Sequence, residues 1–229
     1  MNALGREVRL ITFDLDDTLV DTFGGIPARV RHAVDAATTL HNVPLGDGGE
    51  AAVLAAVMEG HPDLKPANLL RGLGIGDAHP ARAAVLAAYH EKTLEFLQPV
   101  AGAVDLLDLL AGRYALAVIT NGEDALQRAK LRRCGLESHF SCVLASEHVG
   151  IRKPDPAIFR MACEQTGVPP AFALHVGDSP ESDIAGARAA GFAAVLLETA
   201  IPHGPGAEPD VRVASLREVG SLLGHLPRP

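Results

Sequence analysis

Five short runs of mainly apolar residues, without polar alternation, constrain this chain most. They cover residues 8–13, 114–119, 142–145, 173–176 and 193–197. A strand covered by helices on both faces loses both of its sides to the core, so it reads as a continuous apolar run. Helical patterns separate the later runs, at residues 125–134, 156–167 and 181–190, and Gly135 and Gly191 stand where such helices stop. Strand–helix–strand alternation predicts an α/β fold with a parallel sheet, right-handed crossovers and helices on both faces.

The first and second runs are too far apart for one crossover. Residues 20–98 hold no strand pattern, only Ala-rich helical segments at 27–40, 50–59 and 80–97, broken by turn-rich pieces at 42–49 and 72–77. Pro99 and Gly102 return the chain to the alternating rhythm. The expected organisation is a core of residues 1–19 and 99–229, with residues 20–98 inserted as an all-helical cap over the sheet's carboxyl edge. A length of 229 residues suits one core with such an insertion, and is enough to bury a core without disulfide or metal. A Pro/Gly-rich loop at 202–209 precedes a final short strand and helix.

Composition removes several classes of function. A net charge of −8 argues against a broad electrostatic grip on nucleic acid or anionic lipid, and leaves a small anionic substrate only where cations reverse the local field. No apolar stretch approaches the ~18 residues of a membrane span, and the N-terminus carries no signal-peptide core. Cys134, Cys142 and Cys163 lack metal-like spacing and read as reduced thiols of a cytoplasmic protein.

Chemistry in an open parallel sheet gathers at the carboxyl ends of its strands. Here those ends carry Asp14-Leu15-Asp16-Asp17-Thr18, Thr120-Asn121-Gly122, Arg152-Lys153-Pro154-Asp155-Pro156 and Gly177-Asp178-Ser179-Pro180-Glu181-Ser182-Asp183. One acidic cluster is often only a helix cap or a solvated strand end. Four polar clusters in succession point to a shared site. If Asp14, Asp16, Asp178 and Asp183 converge, each like-charged pair ~4 Å apart repels by roughly 4 kcal/mol at an effective dielectric near 20. Lys153 alone cannot balance that charge. A hard divalent cation can, and an all-oxygen ligand set selects Mg2+. Thr120, Asn121 and Lys153 then offer donors and positive charge to the oxygens of a phosphoryl group, and a carboxylate beside the metal can act as nucleophile.

The run Phe13-Asp14-Leu15-Asp16-Asp17-Thr18-Leu19, with Thr120-Asn121-Gly122, Lys153-Pro154 and Gly177-Asp178-Ser179-x-x-x-Asp183, resembles the haloacid dehalogenase (HAD) superfamily. The insertion between its first and second motifs resembles the subfamily with a C1-type helical cap. The resemblance implies a Rossmann-like core, a mobile cap and Mg2+. It implies Asp14 as nucleophile and metal ligand, and Asp16 as general acid/base whose backbone carbonyl also meets the metal. It further implies Thr120 and Lys153 as phosphoryl-binding groups, Asp178 as metal ligand, and Asp183 as a ligand or a partner of the ligands. Asp17 occupies a position that is often Gly in relatives.

Within that family, halide displacement needs neither metal nor acid, whereas phosphate-ester cleavage needs both; Asp16 supplies the acid and favours a phosphatase over a 2-haloacid dehalogenase. A phosphomutase shares nucleophile and metal. A receiver-like signalling domain also combines an acidic pocket, Mg2+, a phospho-accepting Asp, a Thr and a Lys, but in a different motif order and without a cap. Gly177-Asp178-Ser179 superficially matches GDS-type esterases, whose motif belongs near the N-terminus with a later Asp-x-x-His. His175 reads as a core histidine, Glu147 and His148 as solvated, and Gly72-x-Gly74-x-Gly76 as a turn. The expected partner is a small phosphorylated metabolite, with the protein a monomer or homodimer; specificity contacts are sought on the cap, at Asp21, Thr22, Phe23, Arg29 and the 42–49 turn.

Overall fold

The computed structural model describes residues 5–59, 65–201 and 204–225, so Pro202 and His203 of the expected 202–209 loop lie outside the described residues. The chain divides into two compact units. The first comprises Met1–Asp21, Gln98–Ala200 and Gly204–Pro229, and the second comprises Thr22–Leu97 with Ile201–His203.

Six parallel strands build the first unit: β1 (Leu10–Phe13), β4 (Ala115–Thr120), β5 (Cys142–Ala145), β6 (Ala173–Gly177), β7 (Ala193–Leu197) and β8 (Val211–Val213), in the order β5-β4-β1-β6-β7-β8. The connections run outward from β1 to one side and then resume on the other, which opens a crevice at the carboxyl ends of β1 and its neighbours. β1 is central, with Phe13 opposite Val118 of β4 and Val176 of β6. All of its side chains are buried, as a strand covered on both faces requires. The helices of this unit are α5 (Ala103–Leu110), α6 (Asp124–Arg133), α7 (Ser146–Val149), α8 (Pro156–Thr166), α9 (Ala185–Ala190) and α10 (Leu216–Leu222). On one side of the sheet, Ile158, Phe159 and Ala162 of α8 and Ala187 and Ala190 of α9 pack with Leu10, Ile119 and Leu196. Asp155 caps α8, accepting from the Ala157 N–H at 2.9 Å, so this member of the third polar cluster terminates a helix.

The second unit holds α1 (Ile26–Asp35), α2 (Gly49–Met58), α3 (Lys65–Gly72) and α4 (Arg82–Glu91). Val30, Val34, Val53, Val57, Leu69, Leu73, Val85 and Tyr89 form its core. Arg29 lies over the Tyr89 ring at 4.1 Å, and Lys65 over the Phe23 ring at 5.0 Å. The helix expected over 27–40 loses its α pitch at Asp35 and continues as a wider π segment, Ala36–Leu40. There the Thr38 and Thr39 hydroxyls donate back to Val34 and Asp35 carbonyls, which draws those carbonyls out of the regular ladder.

Residues 20–98 are not wholly strandless. Two short strands, β2 (Val20–Asp21) and β3 (Gln98–Pro99), pair antiparallel at the two ends of the insertion, in register Val20↔Pro99 and Asp21↔Gln98. Two residues, one of them proline, leave no periodic trace. None of the described helices is long and apolar enough to cross a membrane.

Candidate active site

Asp14 follows β1 directly, and its N–H still bonds the Val176 carbonyl at 2.9 Å, so the sheet itself fixes its backbone. Asp178 follows β6, Thr120 ends β4, and Lys153 lies on the loop before α8. Asp14, Asp178 and Asp183 bring carboxylate oxygens within 4.8 Å of one another, all three buried. The Lys153 ammonium bridges two of them, at 2.5 Å from Asp14 Oδ1 and 2.6 Å from Asp183 Oδ1.

Asp183 gets there by an unusual turn. After Ser179 the chain forms a π segment, Pro180–Ile184, capped by the Ser179 hydroxyl accepting from the Ser182 N–H at 3.2 Å. This wider turn folds the Asp183 side chain back beneath the end of β6. A Cβ at Gly177 would sit 2.4 Å from Asp183 Cγ, so only glycine lets the carboxylate lie there. Both Asp183 oxygens are engaged: Oδ2 accepts from the Ser179 N–H at 2.9 Å, and Oδ1 meets Lys153 and, at 3.3 Å, His175 Nε2.

His175 is core-buried as the sequence suggests, edge-on to Phe159 at 5.0 Å, but it also belongs to the acidic group. The Thr12 hydroxyl lies 2.8 Å from its Nδ1, and Asp183 faces its Nε2. A carboxylate only accepts, so the consistent tautomer carries its proton on Nε2 and accepts at Nδ1 from the Thr12 hydroxyl. Burial pushes the His175 pKa down, against the opposing pull of Asp183, and keeps the ring neutral.

The charges sort themselves by environment. Burial lifts the Asp14 carboxyl well above its ordinary range; Lys153 pulls the other way, but Asp183 and Asp178 add to the lift. Burial also opposes ionisation of Asp183, yet Lys153 and His175 outweigh it and hold that carboxyl well below the usual carboxylate range. Lys153 remains charged, since Asp14 and Asp183 more than offset its desolvation. Without a divalent cation this leaves Asp14 harder to ionise than Asp183, and such an ion would favour the charged form of Asp14.

Asp16 sits apart from the buried trio. Its Oδ1 accepts from the Lys130 ammonium at 2.6 Å and its Oδ2 from the Gln127 amide at 2.9 Å, both on α6. Sequence reasoning missed both residues and counted Lys153 as the only cation nearby. The available signal was their i, i+3 spacing on the helix that follows Thr120. Thr18, quoted in the first motif without a task, donates to Asp178 Oδ1 at 3.3 Å. Asn121 is held against the Lys153 backbone. Its Oδ1 accepts from the Lys153 N–H at 3.0 Å and its Nδ2 donates to the Lys153 carbonyl at 3.3 Å, so its side-chain amide positions the Lys153 backbone. Glu147 and His148 are exposed.

Asp17 adopts φ +61°, a left-handed conformation that glycine takes without a steric penalty. Asp17→Gly is expected to fold with undiminished stability in urea titration. Asp17→Val is expected to lose about 1–2 kcal/mol, because a β-branched residue pays the full left-handed penalty; equal stability of the two variants would contradict the strain assignment.

Residues 8–191 match the family described as hydrolase: haloacid dehalogenase-like hydrolase, and the chain belongs to that family. It is 54% identical over 106 residues to a phosphoserine phosphatase of Thermus thermophilus, a match covering 46% of this chain and 43% of that protein. It is 32% identical over 197 residues to a glyceraldehyde 3-phosphate phosphatase of Pyrococcus furiosus, covering 84% of this chain and 82% of that one. Among solved structures, the HAD-hydrolase YfnB of Bacillus subtilis shares the fold with a TM-score of 0.74 at 24% identity, over 95% of this chain and 99% of that chain.

Proposed function

We propose that this protein is a magnesium-dependent phosphatase that hydrolyses a small phosphate monoester through an aspartyl-phosphate on Asp14. The observation that carries this reading is the buried Lys153 ammonium shared by Asp14 and Asp183, with Asp178 in the same group. The donor set suits Mg2+, being all oxygen and in excess of the lysine charge. Asp14 and Asp178 would hold the ion with the Asp16 carbonyl. Asp183, fully buried and with both oxygens occupied, serves to anchor Lys153. Bound there, Mg2+ supplies positive charge that neutralises the carboxylates and the phosphoryl oxygens.

The protein groups divide the rest of the work. Lys153 and the Thr120 hydroxyl bind the phosphoryl oxygens. An Asp14 oxygen attacks phosphorus, forming an O–P bond as the ester O–P bond breaks, and the departing alkoxide takes the Asp16 proton. Asp16, now a carboxylate, removes a proton from water; the resulting hydroxide attacks phosphorus, inorganic phosphate leaves, and Asp14 is regenerated. Halide departure requires no proton, so an acid two residues beyond the nucleophile favours ester cleavage over dehalogenation. Both relatives are named for the hydrolysis of small phosphorylated metabolites, which supports the same substrate class here.

The deciding experiment follows phosphate release from p-nitrophenyl phosphate with and without EDTA. We expect chelation to remove activity and added Mg2+ to restore it. Activity indifferent to chelation would overturn the metal assignment, and halide release from a 2-haloacid without phosphatase activity would overturn the reaction class.

A further inference from the structure

The geometry points to Gln127 and Lys130 as positioning residues that fix the Asp16 carboxylate and turn the Thr120 hydroxyl proton toward the substrate. This rests on the phosphatase reading above. Both side chains lie on one face of α6, one turn apart, and both are buried, Gln127 at 1% exposure and Lys130 at 7%. Burying an amide and an ammonium is unfavourable unless each is fully partnered. Here their partners belong to the candidate site.

The Gln127 nitrogen faces Thr120 Oγ1 at 2.6 Å, Asp16 Oδ2 at 2.9 Å and the Asn121 carbonyl at 3.2 Å. The Asn121 carbonyl only accepts, which settles that the amide presents N–H and not oxygen. Towards this amide the Thr120 hydroxyl is therefore an acceptor. Its own hydrogen is left to point elsewhere, and a phosphoryl oxygen is the acceptor the site would bring. Lys130 meanwhile holds the other Asp16 oxygen at 2.6 Å. Asp16 lies on a loop, is 31% exposed, and precedes the left-handed Asp17, so the strand does not fix its side chain. The two α6 residues do. Gln127 thus ties the proton-transfer group and a phosphoryl-binding group into one unit, whereas Lys130 acts on Asp16 alone.

That division sets the test. Gln127→Met and Lys130→Met are compared with the intact protein in Mg2+ buffer, using p-nitrophenyl phosphate, an alkyl phosphate such as glycerol 2-phosphate, and inorganic phosphate as competitive inhibitor. Both variants are expected to lose about 10- to 100-fold in kcat on the alkyl ester, the usual cost of removing a group that orients a reacting one, and several-fold less on the aryl ester, whose leaving group needs little protonation. The phosphate inhibition constant should rise in Gln127→Met and stay unchanged in Lys130→Met. Lys130→Arg should regain most of the alkyl-ester rate. Gln127→Asn, which keeps the amide but withdraws it by one carbon, should repeat the Gln127→Met pattern if that variant does not fold. Equal losses on both esters, or an unchanged phosphate inhibition constant in the Gln127 variants, would overturn the inference. Absence of chelator-sensitive phosphatase activity in the intact protein would instead overturn the reading on which it rests.

Discussion

Asp14→Asn is expected to abolish turnover, by on the order of 10⁴-fold or more, while leaving the fold intact. The carboxamide is nearly isosteric, and its oxygen can still accept from Lys153, which keeps its second bond to Asp183. The amide has no anionic oxygen with which to attack phosphorus, so the covalent step is lost. Stability should move the other way. The Asp14 carboxyl titrates above its unfolded value, so below the unfolded pKa it costs nothing. As pH rises through that value, the unfolded chain loses its proton first and the native state is progressively penalised. At neutral pH without metal, Asp14→Asn escapes this penalty and should melt no lower than the parent protein. Parallel measurements of phosphate release and thermal melting check both halves. Activity within tenfold of the parent would end the nucleophile assignment, and a markedly lower melting temperature would show that Asp14 is needed to hold the fold.

Lys153→Met should do the opposite to stability. It would strand two carboxylates whose side chains are 11% and 1% exposed, beside a third, with no cation among them. Removing one partner from a buried ion pair costs about 3–5 kcal/mol. For a chain of this size that corresponds to a melting temperature lower by roughly 6–20 °C. Added Mg2+ should recover part of the loss, because the ion replaces positive charge at the same oxygens, and should stabilise this variant more than the parent. Activity should fall with the loss of a phosphoryl-binding charge. The measurement is thermal melting in EDTA and in Mg2+. An unchanged melting temperature in EDTA would mean that Asp14 and Asp183 do not depend on this ammonium.

Much of the site was legible because sheet geometry does the gathering. Once residues 8–13, 114–119 and 173–176 are read as adjacent parallel strands, Asp14, Thr120 and Asp178 must come together at their carboxyl ends. What escaped notice was polar and helical. Gln127 and Lys130 sit in the strongly polar stretch Asp124–Arg133, where their inward face looks no different from its solvated one until the sheet is placed beside it. The turn holding Asp183 was read as ordinary helix over 181–190, since Pro180 at a first turn and a Ser cap are helix signals whether the ladder closes on the fourth or the fifth residue. α5 was also passed over, although Ala103, Leu106, Leu107 and Leu110 form a buried stripe at helical spacing. In the second unit, α3 was passed over as well, although Pro66 stands in its first turn.

The small ribbon formed by β2 and β3 bears on how this chain tolerates change. Asp21 and Gln98 stand opposite each other, so the inserted stretch leaves and rejoins the sheet-bearing unit across a single interstrand gap, about 5 Å. Seen from β1, the whole excursion from Thr22 to Leu97 closes like a hairpin turn. Its length and content can therefore drift with little leverage on the backbone of Asp14, seven residues upstream of Asp21. Such a junction lets the inserted stretch be rewritten in one part of the gene while the groups at the strand ends stay where the sheet put them.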